Sequence, residues 1–347
     1  MTVRQGGMSK ELELQDEFYF QWHITNRCNL RCAHCYHDSY AQEDEMDLPE
    51  LKNAFAEMEH ALSLWGKTGT FSITGGEPFT RKAELFELAN FMDASDLVGY
   101  YDILTNGFFI HDETVASLKE LQKLRRIQVS LESPYEKEND EIRGKGSYKK
   151  ILASIRKMKD AGFEVAVMMT VTRKNKESIP QTLALLADNA VDVLSFERFI
   201  PEGTGEQIAH LALSKSETEK FFKEVHSKGM KTVKPRVLMY RPLFALVDPD
   251  DPTVGAMCSI GVNALTIMPN GDILPCRRLP IVLGSMRTKN DIFRVWYESD
   301  LLWKVRDPES LAGCKGCELI SQCRGCRAMA YLYCDNDYLA RDPHCWR

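Results

Sequence analysis

The sequence predicts an α/β protein built on a parallel sheet and followed by a small cysteine-rich domain. Short β-rich runs alternate with helix-like stretches as far as about residue 200, and eight of the 11 cysteines then fall between residues 258 and 345. Several of the β-rich runs are followed at once by polar or glycine-containing segments. Strand C-terminal ends are where α/β folds place their chemistry.

Residues 1–17 are polar and read as an N-terminal arm. Strands are then expected at Phe18–Ile24, Gly69–Thr74, Tyr100–Thr105, Arg126–Leu131, Glu164–Thr170 and Asp192–Phe199. Helices are expected between them, with apolar residues at three- and four-residue spacing, at Leu48–Trp65, Ala83–Met92, Asp112–Leu124, Tyr148–Ala161 and Ser178–Asn189. Strands alternating with helices in this way form right-handed βαβ units. Pro201-Glu202-Gly203-Thr204-Gly205 closes this region, so the core is bounded at 18–205. A bridging segment, 206–255, carries a further helix at Ser216–Lys228 with Ser214 or Ser216 as N-cap. The turn-rich Asp248-Pro249-Asp250-Asp251-Pro252 then leads into the cysteine-rich domain, 256–347.

A formal charge of −6 argues against a general nucleic-acid binder, which needs clustered Lys and Arg. The N-terminus lacks the apolar run of a signal peptide, and no later stretch reaches the ~20 apolar residues of a membrane span. A cytoplasmic protein is expected, with no membrane partner. Cysteines there stay reduced, and an odd count disfavours complete pairing, so metal binding or catalysis is the favoured use.

The first cysteines, in Asn26-Arg27-Cys28-Asn29-Leu30-Arg31-Cys32-Ala33-His34-Cys35-Tyr36, are spaced C-x3-C-x2-C directly after the first strand. Three thiolates on one loop can ligate three irons of a cubane and leave the fourth open, whereas four close a cluster for electron transfer. An open iron can bind the amino and carboxylate groups of a methionine. The competing reading is a zinc site completed by His34 or His37.

On this loop the chain resembles the radical S-adenosylmethionine (SAM) superfamily, whose motif is C-x3-C-x2-C with an aromatic beside the last cysteine, here Tyr36. The resemblance implies a partial (β/α)6 TIM-like barrel over residues 18–200 and a [4Fe–4S] cluster with an open iron on Cys28, Cys32 and Cys35. It also accounts for Gly75, Gly76, Glu77 and Pro78, which end the second strand some forty residues after the loop. Glycines let a backbone come close to a ligand, Glu77 offers an acceptor, and in the family this segment binds the SAM amino group. Ser130 and Glu132 end the fourth strand where relatives contact the SAM ribose or methionine. Arg143 matches an arginine that grips the SAM carboxylate, a role suited to bidentate geometry, with a surface ion pair as the alternative. Asn106 resembles a common ending of the third strand, or serves as a structural turn.

The later cysteines run Cys258, twelve residues, Gly271, four residues, Cys276, and then Cys314-x2-Cys317-x5-Cys323-x2-Cys326, Cys334 and Cys345. This resembles the SPASM extension of radical SAM maturases, which holds two auxiliary iron–sulfur clusters. It departs in one spacer, with two residues between Cys323 and Cys326 where the family usually has three. The resemblance implies one cluster on Cys314, Cys317, Cys323 and Cys345 and another on Cys258, Cys276 and Cys326. The second lacks a fourth ligand. Cys334 could supply it, the site could stay open for substrate, or it could hold a [2Fe–2S] centre. Structural zinc is the alternative for paired C-x2-C units, and Cys334 could equally be a buried apolar residue.

Other features read as packing or pairing. Tyr331, Tyr333, Tyr338 and Trp346 would surround the clusters, Met168 and Met169 would fill core, and Glu197 and Arg198 would face the cavity or pair with each other.

The resemblance implies reductive cleavage of SAM to a 5′-deoxyadenosyl radical, fed by a flavodoxin- or ferredoxin-type donor, and oxidative modification of a substrate. SPASM enzymes mostly act on ribosomally made peptides, forming thioether or carbon–carbon crosslinks. Only 27 residues precede Cys28, so a separate leader-peptide-binding protein, or none, is expected. In the sulfatase-maturing branch an aspartate base follows the cysteine matching Cys276. Here Arg277 and Arg278 follow it, so Arg277 would bind a substrate carboxylate or tune the neighbouring cluster, unless it pairs with Asp272 or another nearby acid. The alternative substrate is a tetrapyrrole: Trp22-His23-Ile24-Thr25-Asn26-Arg27 and Cys35-Tyr36-His37-Asp38-Ser39 look similar to enzymes of haem d1 and alternative haem synthesis. A non-catalytic iron–sulfur electron carrier is the alternative of another class.

Overall fold

A computed structural model describes residues 16–37 and 39–347, so the expected arm at 1–17 lies almost wholly outside the described residues. Six parallel strands lie side by side in chain order: β1 Glu17–His23, β2 Thr68–Thr74, β3 Val98–Thr105, β4 Leu124–Ser130, β5 Val165–Val171 and β6 Val193–Arg198. Helices cross between them: α1 Leu48–Trp65, α2 Lys82–Ala94, α3 Asp112–Lys119, α4 Glu136–Arg143, α5 Ser147–Asp160 and α6 Ile179–Asp188. The pattern of β1 explains the layering. Phe18, Phe20 and Trp22 are fully buried, while Tyr19 and Gln21 face an interior cavity. Alternate residues on a strand point to opposite faces, so one strand supplies both the helix-packed core and the cavity wall.

Helix α1 matches its expected limits because its ends are chemically marked. Asp47 accepts from Glu50 N–H, Glu50 returns the bond to Asp47 N–H at 2.9 Å, and Gly66 ends the helix at φ 63°. The helix expected to reach Leu124 stops at Lys119 instead. The Asp93 carboxylate takes the N–H groups of Gln122 and Lys123 at 2.8 and 2.9 Å, turning the chain into β4.

The sheet extends beyond the six strands at both edges. After α7 Lys215–Gly229, capped by Ser214, a two-residue β7 Arg236–Val237 pairs parallel to β6. At the other edge β8 Ala264–Ile267 runs parallel to β1, with β9 Asp272–Leu274 and β10 Gly284–Ser285 added antiparallel. The cysteine-rich region therefore continues the barrel sheet. Its helices are α8 Asp291–Glu298, α9 Asp300–Arg306 and α10 Arg327–Tyr333. From α8, Trp296 packs edge-on against Phe18 of β1 at 4.9 Å, and Phe18 stacks on Trp65 of α1 at 4.5 Å. Aromatic contacts of this kind make the two regions one core. Among the described residues no helix is long and apolar enough to cross a membrane.

Candidate active site

The loop after β1 carries Cys28, Cys32 and Cys35, and the segment after β2 is laid directly against it. Gly76 N–H donates to the Thr25 carbonyl at 2.8 Å and Glu77 N–H to the Arg27 carbonyl at 2.7 Å. A Cβ on Gly75 would sit 2.4 Å from the Thr25 oxygen, and one on Gly76 would sit 2.3 Å from the Arg27 oxygen. The close approach that requires glycine is thus to the cysteine loop itself.

Glu77 and Pro78 are buried behind this pairing, and neither lines the cavity. The Glu77 carboxylate accepts from Thr105 Oγ1 at 2.9 Å, Asn106 N–H at 2.6 Å and Phe79 N–H at 3.2 Å. Burial pushes its carboxyl up to about 7 against the pull of those hydrogen bonds. These bonds tie the end of β2 to the end of β3. Asn106 passes the constraint on. Its Nδ2 donates to Asn29 Oδ1 at 2.8 Å and lies 3.8 Å from Cys28 Sγ.

A second network holds the other side of the loop. Glu132, just past β4, accepts from His34 Nε2 at 2.9 Å, Arg143 Nε at 3.2 Å and Thr170 N–H at 2.8 Å. Burial would raise its carboxyl, but the pairing with His34 and Arg143 outweighs burial and holds it below the usual range. Arg143 is buried, not paired at the surface, and its Nη1 lies 3.8 Å from Cys32 Sγ. Ser130 lines the cavity. The turn at 201–205 closes on the loop from the far side: Thr204 Oγ1 donates to the Cys35 carbonyl at 3.1 Å and Gly205 N–H to the same oxygen at 3.0 Å.

The loop opens on a cavity of about 600 Å3 whose wall includes Cys28, Cys32 and Cys35 and also Cys258, Cys276 and Cys326. All 11 cysteines are free thiols. The cysteines act on one another in three groups. Cys28 lies in the field of Cys32 and Cys35, Cys276 in that of Cys258 and Cys326, and Cys314 in that of Cys317 and Cys345. Cys323 joins the last group and does not line the cavity.

Burial pushes the Cys28 thiol up to about 11 and those of Cys276 and Cys323 up to about 12. Such thiols become thiolates when a cation binds them. Among the described residues no three His, Cys, Asp or Glu side chains converge as one ion requires. Sets of three or four cysteine thiols with no carboxylate or imidazole among them are the donors that iron–sulfur groups take, so the donor sets fit. Cys334 is not brought to the Cys258 group. It ends α10, whose start is Cys326, about 12 Å away at 1.5 Å per residue, and its sulfur faces the Arg341 carbonyl at 3.9 Å.

Several side chains correct or extend the sequence reading. Met168 lines the cavity while Met169 is core, because neighbours on β5 point opposite ways. Glu197 and Arg198 do not pair with each other. Glu197 binds Arg241 and, at 3.1 Å, Arg278, whereas Arg198 reaches into the C-terminal domain and grips Asp342 at 2.8 and 3.0 Å. Arg277 makes no ion pair among the described residues, with Asp272 or any other acid. Its guanidinium lies over the Tyr36 ring, 4.4 Å from the centroid. Spacing alone could not have revealed Glu202, a cavity carboxylate near Arg278 and Arg277 that burial pushes up to about 7.

Fold and site together define an open barrel that presents three thiols to a cavity shared with a second cysteine-rich domain. The Radical SAM superfamily model matches residues 22–186, and the SPASM model, an iron-sulfur cluster-binding domain, matches residues 258–327. The chain belongs to the radical SAM superfamily, as an enzyme with a C-terminal SPASM domain. The electron-carrier reading is thereby set aside.

Its relatives include the AdoMet-dependent heme synthase of Methanosarcina barkeri, 28% identical over 93% of this chain and 95% of that protein. Another is the mycofactocin maturase MftC of Mycolicibacterium smegmatis, 26% identical over 93% of this chain and 81% of that protein. In fold the chain is similar to Streptococcus suis SuiB bound to precursor peptide SuiA. The TM-score is 0.75 at 19% identity, covering 98% of this chain and 78% of SuiB.

Proposed function

We propose that this enzyme binds SAM at a [4Fe–4S] cluster on Cys28, Cys32 and Cys35 and oxidatively crosslinks a ribosomally synthesised peptide through a thioether or carbon–carbon bond. The observation that carries the reading is the single cavity walled by two cysteine groups. A volume of about 600 Å3 falls within the range of about 300–1,000 Å3 that encloses one drug-sized ligand. SAM is itself of that size, so the bulk of a peptide substrate would stay outside.

When bound, cluster and SAM supply the 5′-deoxyadenosyl radical that removes hydrogen from unactivated carbon. The chain's own residues orient and shield. Asn106 and Arg143 position Cys28 and Cys32, and Phe196, Phe199 and Phe221 make part of the wall apolar, limiting water. Gly75, Gly76 and Ser130 line the space for SAM, and Tyr36, beside Cys35, carries the Arg277 guanidinium.

In this reading residues 18–205 generate the radical and 206–255 bridge to an auxiliary-cluster domain at 256–347. One auxiliary cluster uses Cys314, Cys317, Cys323 and Cys345, and the other uses Cys258, Cys276 and Cys326. A flavodoxin- or ferredoxin-type protein supplies electrons, and a separate leader-binding protein can present the peptide.

Tetrapyrrole side-chain chemistry is the second reading. It is favoured by the unpaired Arg277 at the cavity, suited to a propionate, and by the heme synthase among the relatives. Reduced, anaerobically reconstituted enzyme should therefore be given SAM with short cysteine-containing precursor peptides or with a propionate-bearing porphyrin. 5′-Deoxyadenosine formed in step with peptide hydrogen loss supports the proposal. Coupling only to porphyrin decarboxylation replaces it with the second reading.

A further inference from the structure

Arg327 opens α10 directly after Cys326 and is 2% exposed, one of the largest fully buried side chains described. Its Nη1 donates to the carbonyls of Tyr338 and Ala340 at 3.1 and 2.9 Å. Its Nε and Nη2 have no hydrogen-bond partner, and no carboxylate pairs with it among the described residues. The nearby acid is already committed: Asp342 binds Arg198 and accepts from the N–H groups of Cys326 and His344, each at 2.9 Å.

A permanently charged guanidinium is not left in a protein interior without a counter-charge, because burying an isolated ion costs far more than any one contact returns. Arginine cannot escape that cost by losing its proton. Arg327 directly follows Cys326 of one auxiliary group, and its Nη2 lies beside Gly325, whose N–H donates to the sulfur of Cys323 of the other group at 3.3 Å. Gly325 makes room for it: a Cβ there would meet Arg327 Nη2 at 2.8 Å.

We propose that Arg327 is the shared counter-charge of the two auxiliary cysteine groups, a positioning residue whose free N–H donors face the anionic clusters and set their reduction potentials. Thiolate-ligated clusters are anionic and grow more so on reduction, and hydrogen bonds and net charge around the sulfurs are the levers on potential. A fixed cation favours the reduced state and raises the potential of both groups. The Cys28, Cys32 and Cys35 group has its own cation in Arg143, and is not served by Arg327.

The test is an EPR-monitored redox titration of anaerobically reconstituted holoenzyme carrying Arg327→Met or Arg327→Lys. No substrate is needed, so the result is independent of which substrate reading holds. Arg327→Met should disfavour reduction of the C-terminal clusters at least tenfold, a drop of about 59 mV for one electron. Arg327→Lys should recover part of the shift, and the barrel cluster should not move. Unchanged C-terminal potentials in Arg327→Met at full iron content would overturn the proposal, as would an equal shift of the barrel cluster. If Arg327→Met fails to hold C-terminal iron, Arg327→Lys decides. Iron regained with the charge supports the proposal, and iron still absent assigns Arg327 to packing and overturns it.

Discussion

Cutting the ion pair between Arg198 and Asp342 should loosen the C-terminal domain far more than cutting a surface pair. The side chains are 11% and 1% exposed, and both terminal guanidinium nitrogens, Nη1 and Nη2, meet carboxylate oxygens. Burial would raise the Asp342 carboxyl, but Arg198 outweighs burial and holds it at about 2. Removing one partner strands the other as a buried charge, which costs about 3–5 kcal/mol, whereas a surface pair contributes about 0–1 kcal/mol. Because Asp342 also receives the Cys326 N–H, the loss should be felt as local opening at α10. At about 1.4 kcal/mol per tenfold, Asp342→Asn or Arg198→Met should speed amide exchange there by about two to four orders of magnitude. The assay is hydrogen exchange by mass spectrometry on the holoenzyme, comparing Arg327–Tyr333 with Leu48–Trp65 as the internal control. The double variant strands no charge, so its cost should fall well short of the sum of the single costs. Costs that simply add would refute the reasoning, because they would show that the two side chains do not compensate one another.

Gly76→Ala drives a Cβ into the Arg27 and Asn26 carbonyls, so iron analysis should show the barrel cluster's share, about four irons, lost with SAM binding. The C-terminal iron should remain. Arg277→Ala removes a charged donor from the cavity, and loss of about 1.5–3 kcal/mol should weaken substrate affinity tenfold to hundredfold in steady-state kinetics. Arg277→Lys should recover only part of it, and unchanged kinetics would remove Arg277 from substrate binding. Glu202, raised to about 7, favours folding below its unfolded value near 4.5, and that share is lost as pH rises through 7. Glu202→Gln should therefore gain thermal stability relative to the parent at pH 8 and not at pH 4, and an equal effect at both would show that burial does not act on the carboxyl.

The six core strands and six of the helices could be read because each spans enough residues to show its period. Helix α4, which carries Arg143, escaped. Its sequence Glu-Lys-Glu-Asn-Asp-Glu-Ile-Arg has almost no apolar stripe, and only Asn139, Ile142 and Arg143 are buried. Strands β7 to β10 are two to four residues long, too short for alternation to register. Cys28, Cys32 and Cys35 were legible as a group because ligands on one loop keep a fixed spacing, whereas the grouping of the C-terminal cysteines, spread from residue 258 to 345, is implied only by the family resemblance. The partners of Glu77 were not, since Thr105 and Asn106 lie 28 and 29 residues away and meet it only when β2 and β3 pair. Arg198 and Asp342 are separated by 144 residues, beyond any pattern a single sequence displays.

That last contact explains how two cysteine groups come to share one cavity. An open barrel has two free edges, and a domain tethered by a linker alone would sample many positions across its mouth. Here the C-terminal region is fixed at both sides. At one edge β8 pairs with β1, the strand that delivers Cys28, in register from Tyr19↔Ala264 to Trp22↔Ile267. At the other, Arg198 at the end of β6 holds Asp342, which in turn holds the Cys326 N–H. Cys276 follows β9, the next strand out from β8, so it is placed by the same sheet that places Cys28. The separation of the two thiol groups is therefore set by strand pairing and one buried ion pair, which are rigid on the scale of the chemistry. A reactive radical must meet only its substrate, and strand pairing together with the buried ion pair holds the two thiol groups across one cavity.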